Sequence, residues 1–194
     1  MLFWLAVLVG VIFAVFSIKG GFYSMWAILF NILISIFLGV MLCPTIIGLI
    51  PDIGDSRYHH AGCVAGITVV VFAVLQTITV NFLIGTEAEK KVEEKISFPQ
   101  IFNTVGAGLV GFLAGYIVCG FVFFIVLIMP VSEEPIVKSI CEQSGFAVQS
   151  VEKVCDFVGG ISLQSYGKAG PKAVIDWLTT PEEKLSPSRS KRSK

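Results

Sequence analysis

Four long uncharged apolar runs alternate with shorter polar connections along this chain. Leu2 to Ile18 is apolar without interruption, Phe22 to Leu42 follows after the tight Lys19-Gly20-Gly21 connection, Ala61 to Gly85 is the third run and Thr104 to Met129 the fourth. At 1.5 Å per residue the first run spans about 26 Å, and about 30 Å with Phe22 added, the thickness of a bilayer's hydrocarbon. The pattern predicts an all-α fold, an integral membrane bundle of four transmembrane helices with spans at about 2–18, 22–42, 61–85 and 104–129. A cleaved signal peptide would want positive charge before its apolar run and a small-residue cleavage site after it. Here Lys19 follows the run and FSIKGG offers no such site, so the first span is expected to be retained. Tyr23 and Trp26 read as interfacial anchors of the second span. Pro44 is expected to end or kink that helix near Leu42 or Cys43, because proline lacks the amide proton and clashes with the preceding turn.

The fourth run carries a regular row of small residues. Ala107, Gly111, Gly115 and Cys119 recur every fourth position and stack on one helix face, where Gly108 widens the groove they make. Lipid tails are as apolar as leucine, so helices in a membrane associate largely through close contact between such residues. Gly62 and Gly66, at GxxxG spacing in the third run, are the expected mate for that groove. The third run also holds Gln76, Thr77, Thr79 and Asn81. A threonine can bond the carbonyl one turn back, whereas Gln76 and Asn81 are expected to make intramembrane polar contacts with another helix.

The connections differ in character. Pro51 to His60 reads as an aqueous loop with Asp52, Asp55 and Arg57. His59, His60 and Cys63 are of metal-ligating type, but adjacent histidines diverge on a helix and no fourth ligand lies nearby, so no metal or other cofactor is expected. From Thr86 the sequence TEAEKKVEEK pairs Glu87 with Lys91 and Lys90 with Glu94 at helical spacing, which predicts a charged amphipathic helix over about 86–97. After Pro130 the composition turns soluble. Residues 131–179 are expected to form a small extracytoplasmic helical segment, with helices over Glu133–Ser144, Ala147–Val158 and Pro171–Leu178, the second stopped by Gly159 and Gly160. Residues 180–194 are polar, proline-broken and basic, and read as a disordered tail.

Composition sharpens this picture in two ways. Hydrophobic residues make up 55% of the 194 positions and charged ones 14%, against about 25% charged in ordinary soluble domains, and the net charge of zero gives no reason to expect a nucleic-acid partner. The partners expected are the lipid bilayer and other membrane proteins, or further copies of the chain. Lys19, Lys90, Lys91 and Lys95 follow the first and third spans, whereas Arg57 and Lys138 stand on the other side. The positive-inside rule makes the first set cytoplasmic and puts both termini outside. In a bacterial inner-membrane protein, Cys141 and Cys155 would then face an oxidising compartment. A disulfide between them would stabilise the segment by about 3 kcal/mol; the alternative is an apolar-face Cys155 and a free Cys141 thiol.

Between Lys19 and Leu127 the order of features resembles the CvpA family, the colicin V production proteins of bacterial inner membranes. KGGF at Lys19 to Phe22 is similar to the turn after that family's first span, NFLIG at Asn81 to Gly85 to its exit from the third, and NTVGAGLVGFLAG at Asn103 to Gly115 to its glycine-rich start of the fourth. The family usually has an acidic residue followed by arginine where Asn103 and Thr104 stand, so any role of that pair does not carry over. The segment after Pro130 lies outside the resemblance. The resemblance implies a four-span inner-membrane accessory protein or scaffold linked to toxin production or export and to envelope maintenance, with no established catalytic residues. An oligomeric channel or transporter for a small solute is the alternative, although none of the four apolar cores holds the ionisable residue that ion coupling normally uses. Catalysis is not expected, because His59, His60 and Asp55 lack a nucleophile or a metal-ligand spacing.

Overall fold

The computed structural model describes residues 2–49, 57–84, 100–129, 145–161 and 170–179. These form six helices: α1 (Leu2–Ser17), α2 (Phe22–Leu49), α3 (Arg57–Ile84), α4 (Gln100–Ile128), α5 (Gly145–Ile161) and α6 (Pro171–Thr179). A helix satisfies its own backbone hydrogen bonds, which is what an apolar run must do in hydrocarbon. Helices α2, α3 and α4 are long and apolar enough to cross a membrane, and α1 is a shorter apolar helix. The chain is a multi-pass membrane protein.

The long helices pack as a row. α1 lies along α4, α4 along α2, and α2 along α3, which touches α4 more lightly. The central pair is closed by Ile36, Val40 and Cys43 of α2 with Phe124 and Ile128 of α4, all essentially inaccessible. α5 packs on both central helices and α6 mainly on α2 and α5, adding Val151, Cys155 and Ile175 to the same core.

Several boundaries differ from the sequence expectation. α2 runs through Pro44 to Leu49 instead of ending near Leu42. Cys43 Sγ donates to the His60 carbonyl at 3.8 Å, close to the start of α3, so Pro44 sits toward the aqueous end of both helices. Proline removes the bond to the Val40 carbonyl one turn back, and that turn is buried in the core, where packing of the neighbouring helices keeps α2 continuous. α3 begins at Arg57, which puts His59 and His60 on a helix rather than in a loop. Gly159 and Gly160 do not stop α5, which reaches Ile161. Gly159 is buried, and that packing offsets the helix penalty of about 1 kcal/mol that glycine carries. The expected amphipathic helix over 86–97, the loop acids Asp52 and Asp55, the helix over 133–144, Cys141 with its candidate disulfide to Cys155, and the tail over 180–194 lie outside the described residues.

Candidate functional site

The groove on α4 is filled by α1. A Cβ placed on Gly115 would stand 2.7 Å from Phe13 Cβ and 3.1 Å from Gly10 Cα, and one on Gly111 would meet the Ser17 side chain and the Phe13 carbonyl. Gly10 is itself pressed on the Phe112 ring, and Ile18 lies beside Gly108. Ala107 and Cys119 are buried on the same helix. Ser17 returns its hydroxyl to the Phe13 carbonyl at 2.6 Å, so that hydroxyl is satisfied within α1. The expected mate, Gly62 and Gly66, is a correction: both are exposed, with nothing within 4 Å of where a Cβ would go. The physical reason is rotational. Val64 and Thr68 are buried, and Gln76 and Thr79 bond to α2, which turns the opposite side of α3, with Gly62 and Gly66, outward. Gly10, the lone glycine of the first run, was the signal in the sequence for the true mate.

A polar seam joins α2 to α3. The Asn31 amide donates to Gln76 Oε1 at 3.2 Å and to Thr79 Oγ1 at 2.9 Å. The Ser35 hydroxyl donates to the Asn31 carbonyl at 2.5 Å, and Thr68 to the Val64 carbonyl at 2.8 Å. Gly39 lets the Thr68 hydroxyl and the Val64 carbonyl approach α2, since a Cβ there would clash with both. Gln76 thus faces another helix, whereas Asn81 does not: it is exposed near the far end of α3, a correction to the expected polar contact. Thr77 bonds the Ala73 carbonyl one turn back at 2.7 Å. Sequence reasoning missed Asn31, whose signal was a single amide in the middle of an uncharged apolar run.

The turn between α1 and α2 is tied to the start of α4. Gly21 has φ +77°, a conformation that favours glycine, and its carbonyl accepts the Met25 amide to open α2. The Phe22 N–H, one of the donors that a helix start leaves without an intrahelical acceptor, donates to Asn103 Oδ1 at 2.7 Å. Gly106 admits the Phe22 ring, which a Cβ there would approach to 2.7 Å. Two stretches that sit 81 positions apart, KGGF and NTVGAG, therefore form one capped turn. Replacing Asn103 with alanine is expected to cost about 1 kcal/mol, as loss of a helix cap does. Asn103→Asp should keep the acceptor and the stability, checked by unfolding in mixed micelles; equal losses in both variants would refute the capping role.

A family model described as Colicin V production protein matches residues 4–152. The chain belongs to the colicin V production protein family. Comparison with curated proteins and with solved structures found no match. The family match reaches further than the resemblance between Lys19 and Leu127: it takes in nearly all of α1, the partner of the α4 groove, and the first half of α5, so the segment after Pro130 is not wholly outside the family. The capped turn lies within the match.

His59 is exposed, while His60 packs against Trp177 of α6 with ring centroids 4.9 Å apart and the rings tilted by 48°. Among the described residues no group of three or more His, Cys, Asp and Glu is placed to hold a metal. Cys155 points into the core, and burial, reinforced by the adjacent Asp156 carboxylate, pushes its thiol up to about 12. Thiolate is the reactive species, so in reduced, folded protein Cys155 should resist maleimide at neutral pH and react on denaturation. Equal labelling rates in both states, read by mass spectrometry, would contradict that.

Proposed function

We propose that this chain is a four-span protein of the bacterial inner membrane, with both termini periplasmic, acting as a non-catalytic accessory or scaffold in colicin V-type toxin production or export and in envelope maintenance. α1 supports the four-span reading, because it runs antiparallel to α4 through the Gly10–Gly115 and Ile18–Gly108 approaches and so covers most of the same depth. The observation that carries the scaffold reading is the outer face of α3. Of the three long apolar helices, α3 buries the least, and Gly62, Gly66, Ala73 and Thr77 are all exposed on that face. Small residues let a second helix approach closely in lipid. On this reading a partner would use α3, because α1 already occupies the α4 groove.

The experiment is co-purification from envelopes with Gly62 and Gly66 changed to leucine. Loss of a membrane-protein partner, with the folded yield kept, supports the scaffold; an unchanged partner set refutes it. The alternative is an oligomeric channel or transporter for a small solute, favoured by the exposure of Thr77 and Asn81, which several copies could turn toward a pore. Solute flux in liposomes that falls on replacing Asn81 but not Gln76 would support that reading, because Gln76 is engaged with Asn31 within the chain.

A further inference from the structure

The contacts along α4 set the depth of the apolar slab, and α5 begins inside it. Gly10 lies against Gly115 in antiparallel helices. The Phe3 ring, seven residues earlier on α1, lies 6.4 Å from the Tyr116 ring of α4. Phe3 and Trp4 are exposed there, Trp4 by 72%, as residues in lipid are. On α5, Ser150 sits against Gly120, where a Cβ would meet it at 3.3 Å, and the Phe146 ring lies between Tyr116 (6.4 Å) and Phe123 (5.9 Å). Gly120 is eight residues short of the end of α4, about 12 Å. The N-terminal half of α5 thus stands at the depth of the exposed apolar residues of α1, not above the membrane.

The side chains of α5 fit that place. Its bundle side holds Ala147, Val151, Val154 and Cys155. At 100° per residue the apolar surface continues past this stripe through Phe146, Phe157 and Ile161, so it covers roughly 220° of the helix, about twice the arc needed to dock on a protein core. Phe157 and Ile161 are 54% and 59% exposed. The polar residues Gln149, Glu152, Lys153 and Asp156 occupy the remaining narrow arc. α6 repeats the division: Lys172 extends to Glu152 of α5 at 3.3 Å on the polar side, whereas Trp177, 40% exposed, lies over His60 near the start of α3. Tryptophan over a helix end at the membrane boundary matches the interfacial belt.

We propose that α5 and α6 are a lipid-embedded cap: they lie in the leaflet at the Cys43 and His60 end of the bundle, with Phe157, Ile161 and Trp177 among acyl chains and the Glu152–Lys172 pair at the headgroups. α5 and α6, expected to belong to a soluble segment, would then act at the membrane surface, in the manner of amphipathic helices that sink about 5–10 Å into the acyl boundary. This rests on the membrane-spanning reading of the long helices and not on the accessory role.

The test uses the full chain with Trp4→Phe and Trp26→Phe, two exposed aromatic positions, so that Trp177 is the sole tryptophan. It is reconstituted in phosphatidylcholine–phosphatidylglycerol vesicles whose lipids carry bromine either high or low on the acyl chain, with iodide supplied on both sides in a parallel series. The expected result is a blue-shifted emission, quenched more by bromine near the headgroup than deep in the chain, and only weakly by iodide. A second variant moves the reporter, Ile161→Trp with Trp177→Phe, and should report the same shallow depth. Strong iodide quenching without loss to bromine would place the cap in water and overturn the proposal. Quenching by neither would mean that protein covers the patch, and would overturn it equally.

Discussion

Changing Gly115 to leucine will prise α1 from α4 and lower the stability of the folded chain by about 3 kcal/mol, the upper end of the range for overpacking. The side chain has nowhere to go. Its first carbon alone would stand 2.7 Å from Phe13 Cβ and 3.1 Å from the Gly10 backbone, and backbone cannot rotate aside as a flexible side chain can. In lipid the lost contact is not replaced by hydrophobic burial, because a detached α1 meets acyl chains as apolar as its former partner. Gly62→Leu is the control: with nothing within 4 Å of its Cβ it should leave stability within about 0.5 kcal/mol. Unfolding of both variants in mixed detergent micelles distinguishes them. Similar midpoints for the two would mean that α1 is not held by this groove.

Asn31→Leu should cost about 1–2 kcal/mol. Interhelical hydrogen bonds in membranes average about 0.6 kcal/mol and reach about 1.7, and Asn31 makes two, to Gln76 and Thr79. The loss falls on the partners more than on Asn31 itself, since leucine fills a similar volume but strands the Gln76 amide at a half-buried position. The double variant Asn31→Leu with Gln76→Leu should therefore be less destabilised than the sum of the single ones, because removing both partners removes the unsatisfied group. Strict additivity in that cycle would show that the two residues do not interact, and would dissolve the polar seam between α2 and α3.

These two seams mark where sequence reading succeeded and where it stopped. That α4 has a face needing close approach was legible, because four small residues at a four-residue spacing share one side of any helix. Which helix fills it was not, since Gly62 and Gly66 satisfy the same rule as Gly10. The choice was made by the amides: Gln76 pairs with Asn31, and that bond fixes the rotation of α3 and carries its glycines outward. Asn81 followed Gly62 and Gly66 to the exposed side for the same reason. The meeting of Asn103 with Phe22 was equally hidden, because a cap supplied from 81 positions away leaves no local pattern to read.

The sequence by itself determined the class of this protein, through apolar runs whose length matches a bilayer and whose backbone must be helical in hydrocarbon. It also determined the colicin V production family, which a match over residues 4–152 establishes. Tertiary structure alone decided which faces meet: α1 in the groove of α4, α2 on α3, and α5 against Gly120 at the depth of the apolar residues of α1. Periodicity specifies that a helix has a sticky face, while the partner depends on hydrogen bonds and contact distances between residues remote in sequence.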